Sequence, residues 1–161
     1  MPKDHESSEI RSLAVTLLQS GNFGSDLVIE AGHVESPMAV QSPDRKLHSW
    51  FVPITVGSRL AAFFQFLPDG TLMRFSSFQR RPGDLDGCPE AADWLDLKRI
   101  KERAQAFNQM AETSGEPFLT YDRSPDRLVW AVPLEIPGGE VRLVYVAGRT
   151  VYEPPPLESY G

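Results

Sequence analysis

Residues 42–54 read SPDRKLHSWFVPI, and residues 124–134 read SPDRLVWAVPL. Aligning the two tryptophans sets Trp50, Val52, Pro53, Ile54 and Val56 on Trp130, Val132, Pro133, Leu134 and Ile136. The SPDR words fall just upstream, with two extra residues in the first copy. A match repeated at so long a period indicates duplication of one supersecondary unit. In both copies apolar residues alternate with others. Trp50, Val52, Ile54 and Val56 stand against Phe51, Pro53 and Thr55; Trp130, Val132, Leu134 and Ile136 stand against Ala131, Pro133 and Glu135. Period two with one apolar side is the pattern of a half-buried strand.

Each such strand runs into a glycine-containing turn, Gly57-Ser58 or Pro137-Gly138-Gly139, and then a second apolar run. That order predicts a β-hairpin in each copy. A second turn, Pro68-Asp69-Gly70 or Ala147-Gly148, leads to a short third strand at 71–75 or 149–152. Further short strands are expected at 38–40 and 118–121, ahead of the SPDR turns, and at 27–29. Pro53 and Pro133 recur at one place, and proline lacks an N–H, so a shared kink or bulge is expected there. A two-residue Gly57-Ser58 turn, which glycine at the first turn position favours, would flip half of the face assignment; a three-residue turn is preferred because it gives both units the same inner face, and it would put Leu60, Ala62, Phe64 and Phe66 on the face of Trp50. The opposite face would then carry Phe51, Pro53, Thr55, Phe63 and Gln65. In the second copy that outer face is expected to hold Ala131, Pro133, Val144 and Val146, with Glu135 facing Arg142.

A helix is expected to open each unit. Ile10, Leu13, Ala14, Leu17 and Leu18 fall on one helical face, with Ser7 or Ser8 as cap and Gly21 as stop. Leu97, Ile100, Ala104, Phe107 and Ala111 form the second stripe, opened by Pro89, favoured in the first turn by Glu90 and Asp93, and ended by Gly115. The chain therefore reads as α+β: two tandem helix-plus-antiparallel-sheet units of α-β-β-β order, related by a pseudo-twofold duplication. The expected boundaries are 1–78 for the first unit, 79–89 for a linker, 90–153 for the second unit and 154–161 for a Pro-rich tail.

The phrase W-x-V-P-[IL], followed by a glycine turn, an apolar strand and a further turn, stands as WFVPI…FLPDGTL and WAVPL…VAGRTV. It resembles the PepSY-like, cystatin-like family over about two-thirds of the chain. The second copy has Ala147-Gly148 where the first has Asp69-Gly70. The resemblance implies one helix packed on a small antiparallel sheet, in tandem copies, and a non-catalytic role as a propeptide, inhibitor or binding module. It supplies no catalytic residue. Members of that family are usually exported or membrane-tethered, whereas the N-terminal residues MPKDHESSEIRS contain no apolar signal-peptide core.

The chain has 161 residues, a formal net charge of −6 and one cysteine. That charge disfavours a general nucleic-acid or anionic-membrane binder, which needs clustered cations. Arg80, Arg81, Lys98, Arg99, Lys101 and Arg103 are the one basic candidate, and they read better as loop and solvated helix face. Cys88 alone forms no internal disulfide. Without a signal peptide or an apolar run of membrane-spanning length, a soluble cytoplasmic protein is expected.

His5, His33 and His48 lack paired metal spacing. The DLDG at 84–87 has Pro89 and Leu95 where a calcium loop needs Gly and Glu. Cys88 before Pro89 could be an activated thiol only beside a histidine base. Phosphate-loop, dinucleotide and nucleophile-elbow motifs are missing. No enzyme activity, catalytic residue, metal or cofactor is therefore expected. The leading expectation is a non-enzymatic binding module that uses an apolar sheet face or a sheet edge for a protein partner or for homodimer formation. Phe51, Pro53, Phe63, Pro133 and Val144 are its candidate interface. One alternative is a small apolar-ligand protein or enzyme, with a pocket at Trp50, Phe64, Phe66 and Trp130 in the aromatic-rich region. Another is an acidic inhibitor or immunity-type protein.

Overall fold

The structure is a computed structural model that describes residues 5–154. The expected Pro-rich tail lies outside the described residues from position 155 onward. The chain is α+β with antiparallel pairing between its strands, and it divides into two compact units, Met1–Ala91 and Ala92–Gly161.

The first unit contains α1 (Ser7–Gln19), α2 (Asp26–Ala31), β1 (His33–Val34), β2 (Met38–Gln41), β3 (Leu47–Val56), β4 (Arg59–Phe66) and β5 (Leu72–Ser77). Strand β3 is the hub: β2 and then β1 pair end to end along one side of it, and β4 pairs along the other, with β5 beyond. Helix α1 starts one residue earlier than a serine cap would give. Glu6 is its N-cap, and a capping box with Glu9 satisfies the first free amides. The strand expected at 27–29 is the short helix α2, because the Ser25 hydroxyl accepts from Val28 N–H and so caps a helical turn. Ile10, Ala14, Leu18 and Val28 then bury against Val52, Ile54, Phe64 and Phe66 of the sheet.

The segment expected as a linker is packed onto this unit. Leu60 N–H donates to Pro89 O, Ala91 N–H to Ser58 O, and Arg59 Nη1 to Cys88 O, each within 2.9 Å. Cys88 is buried.

The second unit contains α3 (Ala91–Leu95), α4 (Leu97–Phe107), β6 (Glu112–Thr113), β7 (Phe118–Tyr121), β8 (Leu128–Glu135), β9 (Val141–Ala147) and β10 (Thr150–Tyr152). Its single expected helix is broken in two. Asp96 has an extended backbone and its side chain accepts from the N–H groups of Lys98 and Arg99, so it opens a new helix. Only Ile100 and Ala104 of the expected stripe are buried within α4. Leu97 and Phe107 are exposed, and Ala111 lies beyond the helix end.

The two units share one internal register. Trp50 pairs with Phe66 and Ala39, and Trp130 pairs with Val146 and Leu119. Pro53 pairs with Phe63, and Pro133 with Leu143. The hairpins reach this register differently. Gly57, at φ 60°, and Ser58 make a two-residue turn, and a bulge then inserts Ala61 between the pairs Thr55–Leu60 and Ile54–Ala62. In the second unit the three-residue loop at 137–139 does the same work, with Ile136 N–H donating to Glu140 O at 2.9 Å. So Ala62, Phe64 and Phe66 do share the face of Trp50, but Leu60 pairs with Thr55.

In the second unit the expected outer face is corrected. Val144 and Val146 pair with Val132 and Trp130, while Leu143 and Tyr145 join Pro133 and Ala131. Glu135 faces Val141, and Arg142 faces Leu134, so the expected Glu135–Arg142 pair does not form. Arg142 reaches Glu140 instead, at 3.6 Å.

The recurrent prolines mark no shared bulge. Pro53 O accepts from Glu35 N–H at 2.9 Å and Pro133 O from Ser114 N–H at 3.0 Å. Glu35 lies between β1 and β2, and Ser114 between β6 and β7. Each proline therefore stands where the long strand changes from one short neighbour to the next and no ladder donor is required. The SPDR word also makes the same turn twice: Arg45 N–H returns to Ser42 O and Arg127 N–H to Ser124 O. Arg45 is left-handed at φ 68°, and in the second copy the left-handed residue is Arg123, also at φ 68°.

Candidate functional site

The proposed interface residues are not on the surface. Phe51, Pro53, Phe63 and Val144 are buried, and Pro133 is half-buried. Phe51 and Phe63 stack at 4.8 Å, Phe78 lies 5.5 Å from Phe63, and the Arg74 guanidinium sits 5.0 Å over the Phe63 ring. Beneath them the polar chain Arg74 Nε to Gln65 Oε1 (2.9 Å) and Gln65 Nε2 to Ser49 Oγ (2.8 Å) satisfies a fully buried glutamine amide.

The proposed pocket residues are core. Phe64 and Phe66 are buried among Phe23, Phe75 and each other, with centroid separations from 4.9 to 5.9 Å. Trp50 is half-buried against the same cluster. Trp130 is buried, and its Nε1 donates to Trp94 O at 2.8 Å.

With its faces covered, what the first sheet leaves open is the edge of β5. This strand has six residues, Leu-Met-Arg-Phe-Ser-Ser, and among the described residues it pairs with β4 alone. Phe78 N–H donates to Ala61 O at 2.8 Å, which fixes the alternation of the ladder. Arg74 and Ser76 turn their backbone groups toward β4, and Phe75 and Ser77 turn theirs away from it; Met73 is the extra residue where the register shifts between Gln65 and Phe66. Natural sheets guard such an edge with proline, lysine, short length or outward charge. Here proline and lysine are missing, and Arg74 is drawn over the sheet face to Gln65 and Phe63. The corresponding edge of the second unit, β10, is only three residues long. Sequence reading missed β5 as a site because edge status depends on strand order, which alternation does not encode.

The second unit also holds an open groove of about 660 Å³ lined by Trp94, Asp122, Arg123, Arg127, Thr150 and Tyr152. Tyr152 Oη donates to Asp122 Oδ2 at 2.6 Å. Burial, together with this bond to a carboxylate, pushes the Tyr152 pKa up to about 12. Next to Trp94 in the chain, Asp93 is buried and receives Arg103 Nη2 at 2.7 Å, Arg99 Nη1 at 3.3 Å and Arg149 Nε at 3.5 Å. Burial alone would raise its pKa. The hydrogen bonds from Arg103 and Arg99 outweigh that and hold the carboxyl below its ordinary value. Of the expected basic patch, then, Arg99 and Arg103 are partnered, and Lys101 bonds Glu116 at 2.7 Å.

Among the described residues no group of His, Cys, Asp and Glu is arranged to hold a metal ion, and no helix is long and apolar enough to cross a membrane. Burial raises the Cys88 thiol pKa, the opposite of an activated nucleophile. Comparison with known protein families, curated proteins and solved structures found no match to this chain.

Proposed function

We propose that this protein is a non-enzymatic binding module, built from two tandem cystatin-like units, that takes up an extended protein segment along the edge of β5. The observation that carries the reading is the unguarded six-residue strand with its outward-facing amides at Phe75 and Ser77. Strand addition draws affinity from main-chain hydrogen bonds and specificity from alternate side chains. On β5 those alternate positions are Leu72 and Phe75, which pack on the helix-side core, and Arg74 and Ser76, which share the opposite face with Gln65 and Phe63. A segment with apolar residues toward the helix side fits that pattern. The matching registers of the two units support a tandem duplication, and the acidic charge is left as a solubility feature.

The test uses a displayed library of seven-residue peptides (a length of about the strand's own) selected on the wild-type chain. Selected peptides should protect the Phe75 and Ser77 amides from hydrogen exchange and lose binding to Ser77→Pro. That substitution removes an outward N–H together with the hydroxyl that donates to Ala61 O at 3.5 Å and accepts from Gln79 N–H at 3.1 Å, so Ser77→Ala, which removes the hydroxyl alone, serves as control and should keep peptide binding. Peptides that bind Ser77→Pro equally well, or that protect the groove at Tyr152 instead, would refute the reading.

A further inference from the structure

We propose that the groove of the second unit binds a free amino acid with an apolar or aromatic side chain, its ammonium group at Asp122 and its carboxylate at Arg127. This site is independent of the β5 edge. Asp122 and Arg127 both line the groove, and both act on the Tyr152 hydroxyl. Asp122 Oδ2 accepts from it at 2.6 Å, and the nearby Arg127 charge pulls its pKa down against the rise. Yet the two form no ion pair with each other, and among the described residues Arg127 has no carboxylate partner. Asp122 is 9% exposed, and Tyr152 takes only one of its two oxygens. The other, Oδ1, has no hydrogen-bond partner among the described residues. A carboxylate withdrawn from water with one oxygen open is costly unless a donor comes to it. Opposite charges held apart in one cavity are the complement of a zwitterion, each of whose charges meets its opposite. Arg123 and Asp126, which also line the groove, are engaged in contacts of their own, and Glu153 is exposed.

The side chain of the ligand is matched by Trp94, Leu128, Val129 and Ala147, which give the lining its apolar part. Trp94 is set against the β9–β10 turn, where a Cβ at Gly148 would come within 3.5 Å of its Nε1. Small-molecule sites combine apolar walls with a few placed polar groups, and a volume of about 660 Å³ is ample for an amino acid. The Tyr152–Asp122 bond fixes the carboxylate before any ligand arrives, which lowers the cost of ordering it on binding. The duplication shows that the fold itself does not call for these groups. The residue that closes the ladder behind the SPDR turn is Ser42 in the first unit, donating to Lys46 O at 2.9 Å, and Asp122 in the second, donating to Arg127 O at 2.8 Å. Tyr152 faces Tyr145, and the equivalent position in the first unit is Arg74, facing Gln65. Where the second unit has a buried carboxylate held by a tyrosine, the first has a half-buried serine and an arginine.

The test is isothermal titration calorimetry of the full chain at neutral pH with phenylalanine and leucine. Two blocked probes run beside them: N-acetylphenylalanine, which lacks the ammonium charge, and phenylalaninamide, which lacks the carboxylate. At least one free amino acid should bind at one site per chain, and each blocked probe should bind roughly tenfold more weakly than phenylalanine or not at all. Arg127 is exposed, so Arg127→Gln should keep its circular dichroism and weaken amino-acid binding roughly tenfold. Arg142→Gln, which changes the net charge equally but lies outside the groove lining, should leave binding as in wild type. Asp122→Asn should weaken binding to a similar degree. Absence of binding at millimolar phenylalanine and leucine overturns the proposal. So does a blocked probe that binds as well as phenylalanine, or amino-acid binding that Arg127→Gln leaves unchanged. Should Asp122→Asn lose its fold, the blocked probes and Arg127→Gln still decide.

Discussion

Replacing Asp93 with asparagine should destabilise the second unit by about 3 kcal/mol. Asp93 is 8% exposed at its side chain, and three guanidiniums meet it. They do not contribute equally. Arg103 is 2.7 Å away with a side chain 25% exposed, and it also donates to Gly148 O at 2.9 Å. Arg149 is 80% exposed at 3.5 Å, where water and salt reduce an ion pair to a few tenths of a kcal/mol. Most of the loss therefore comes from the Arg103 contact, and the remainder from Arg99. In a chain of this size the change should lower the unfolding midpoint by about 6–12 °C. The assay is urea and thermal unfolding followed by tryptophan fluorescence, since Trp94 and Trp130 both belong to this unit and are joined by a hydrogen bond. Arg103→Ala should cost nearly as much as Asp93→Asn, and Arg149→Ala less than about 0.5 kcal/mol. The carboxyl's folded pKa lies below its unfolded value. Its stabilisation is then complete above the unfolded pKa of about 4 and lost as pH falls through the folded pKa. Asp93→Asn should flatten that part of the acid limb and leave the neutral plateau parallel to wild type. Equal costs for Arg103→Ala and Arg149→Ala, or an unchanged acid limb, would refute the assignment.

The folded pKa of Tyr152 is raised, so its contribution is present below pH 10 and lost as pH rises toward about 12. Ultraviolet titration should show a tyrosine component at about pH 12 that Tyr152→Phe removes, at a cost of about 1.5 kcal/mol. Arg45 sits exposed in the left-handed region, so Arg45→Asn should stabilise by about 0.5 kcal/mol, measured by urea unfolding. Cys88, buried and with a raised pKa, should react with a thiol reagent at pH 8 far more slowly in the native state than in urea.

The strands were legible from period-two alternation in 50–56 and 130–136, although the expected half-buried sheet is buried on both faces along 51–56. The duplicated phrase showed that two such sheets follow one plan. What alternation cannot carry is the parity set by a turn. In the first hairpin a bulge at Ala61 restored the face assignment that a longer turn would have given. In the second, the loop at 137–139 turned Val144 inward and Tyr145 outward, so the candidate interface was misplaced by one residue. The helix break at Asp96 was hidden because a capping aspartate also fits an exposed helical position. Phe51 and Phe63 were expected on a docking face. Their burial removed them as a docking face, and the site that remained, β5, has an unremarkable sequence. Its interest lies in what its backbone lacks, which no side chain announces.

The segments 55–61 and 135–141 each span seven residues between equivalent pairs, Ile54 with Ala62 and Leu134 with Arg142, and each turns the chain in its own way, one with a two-residue turn and a bulge, the other with a three-residue loop. They are therefore cassettes with a common socket. Exchanging one for the other would relocate the bulge while every partner beyond it, Pro53 with Phe63 or Pro133 with Leu143, stays in place. What these two hairpins have in common is a chain length between fixed pairs, and within that length their turn chemistry differs.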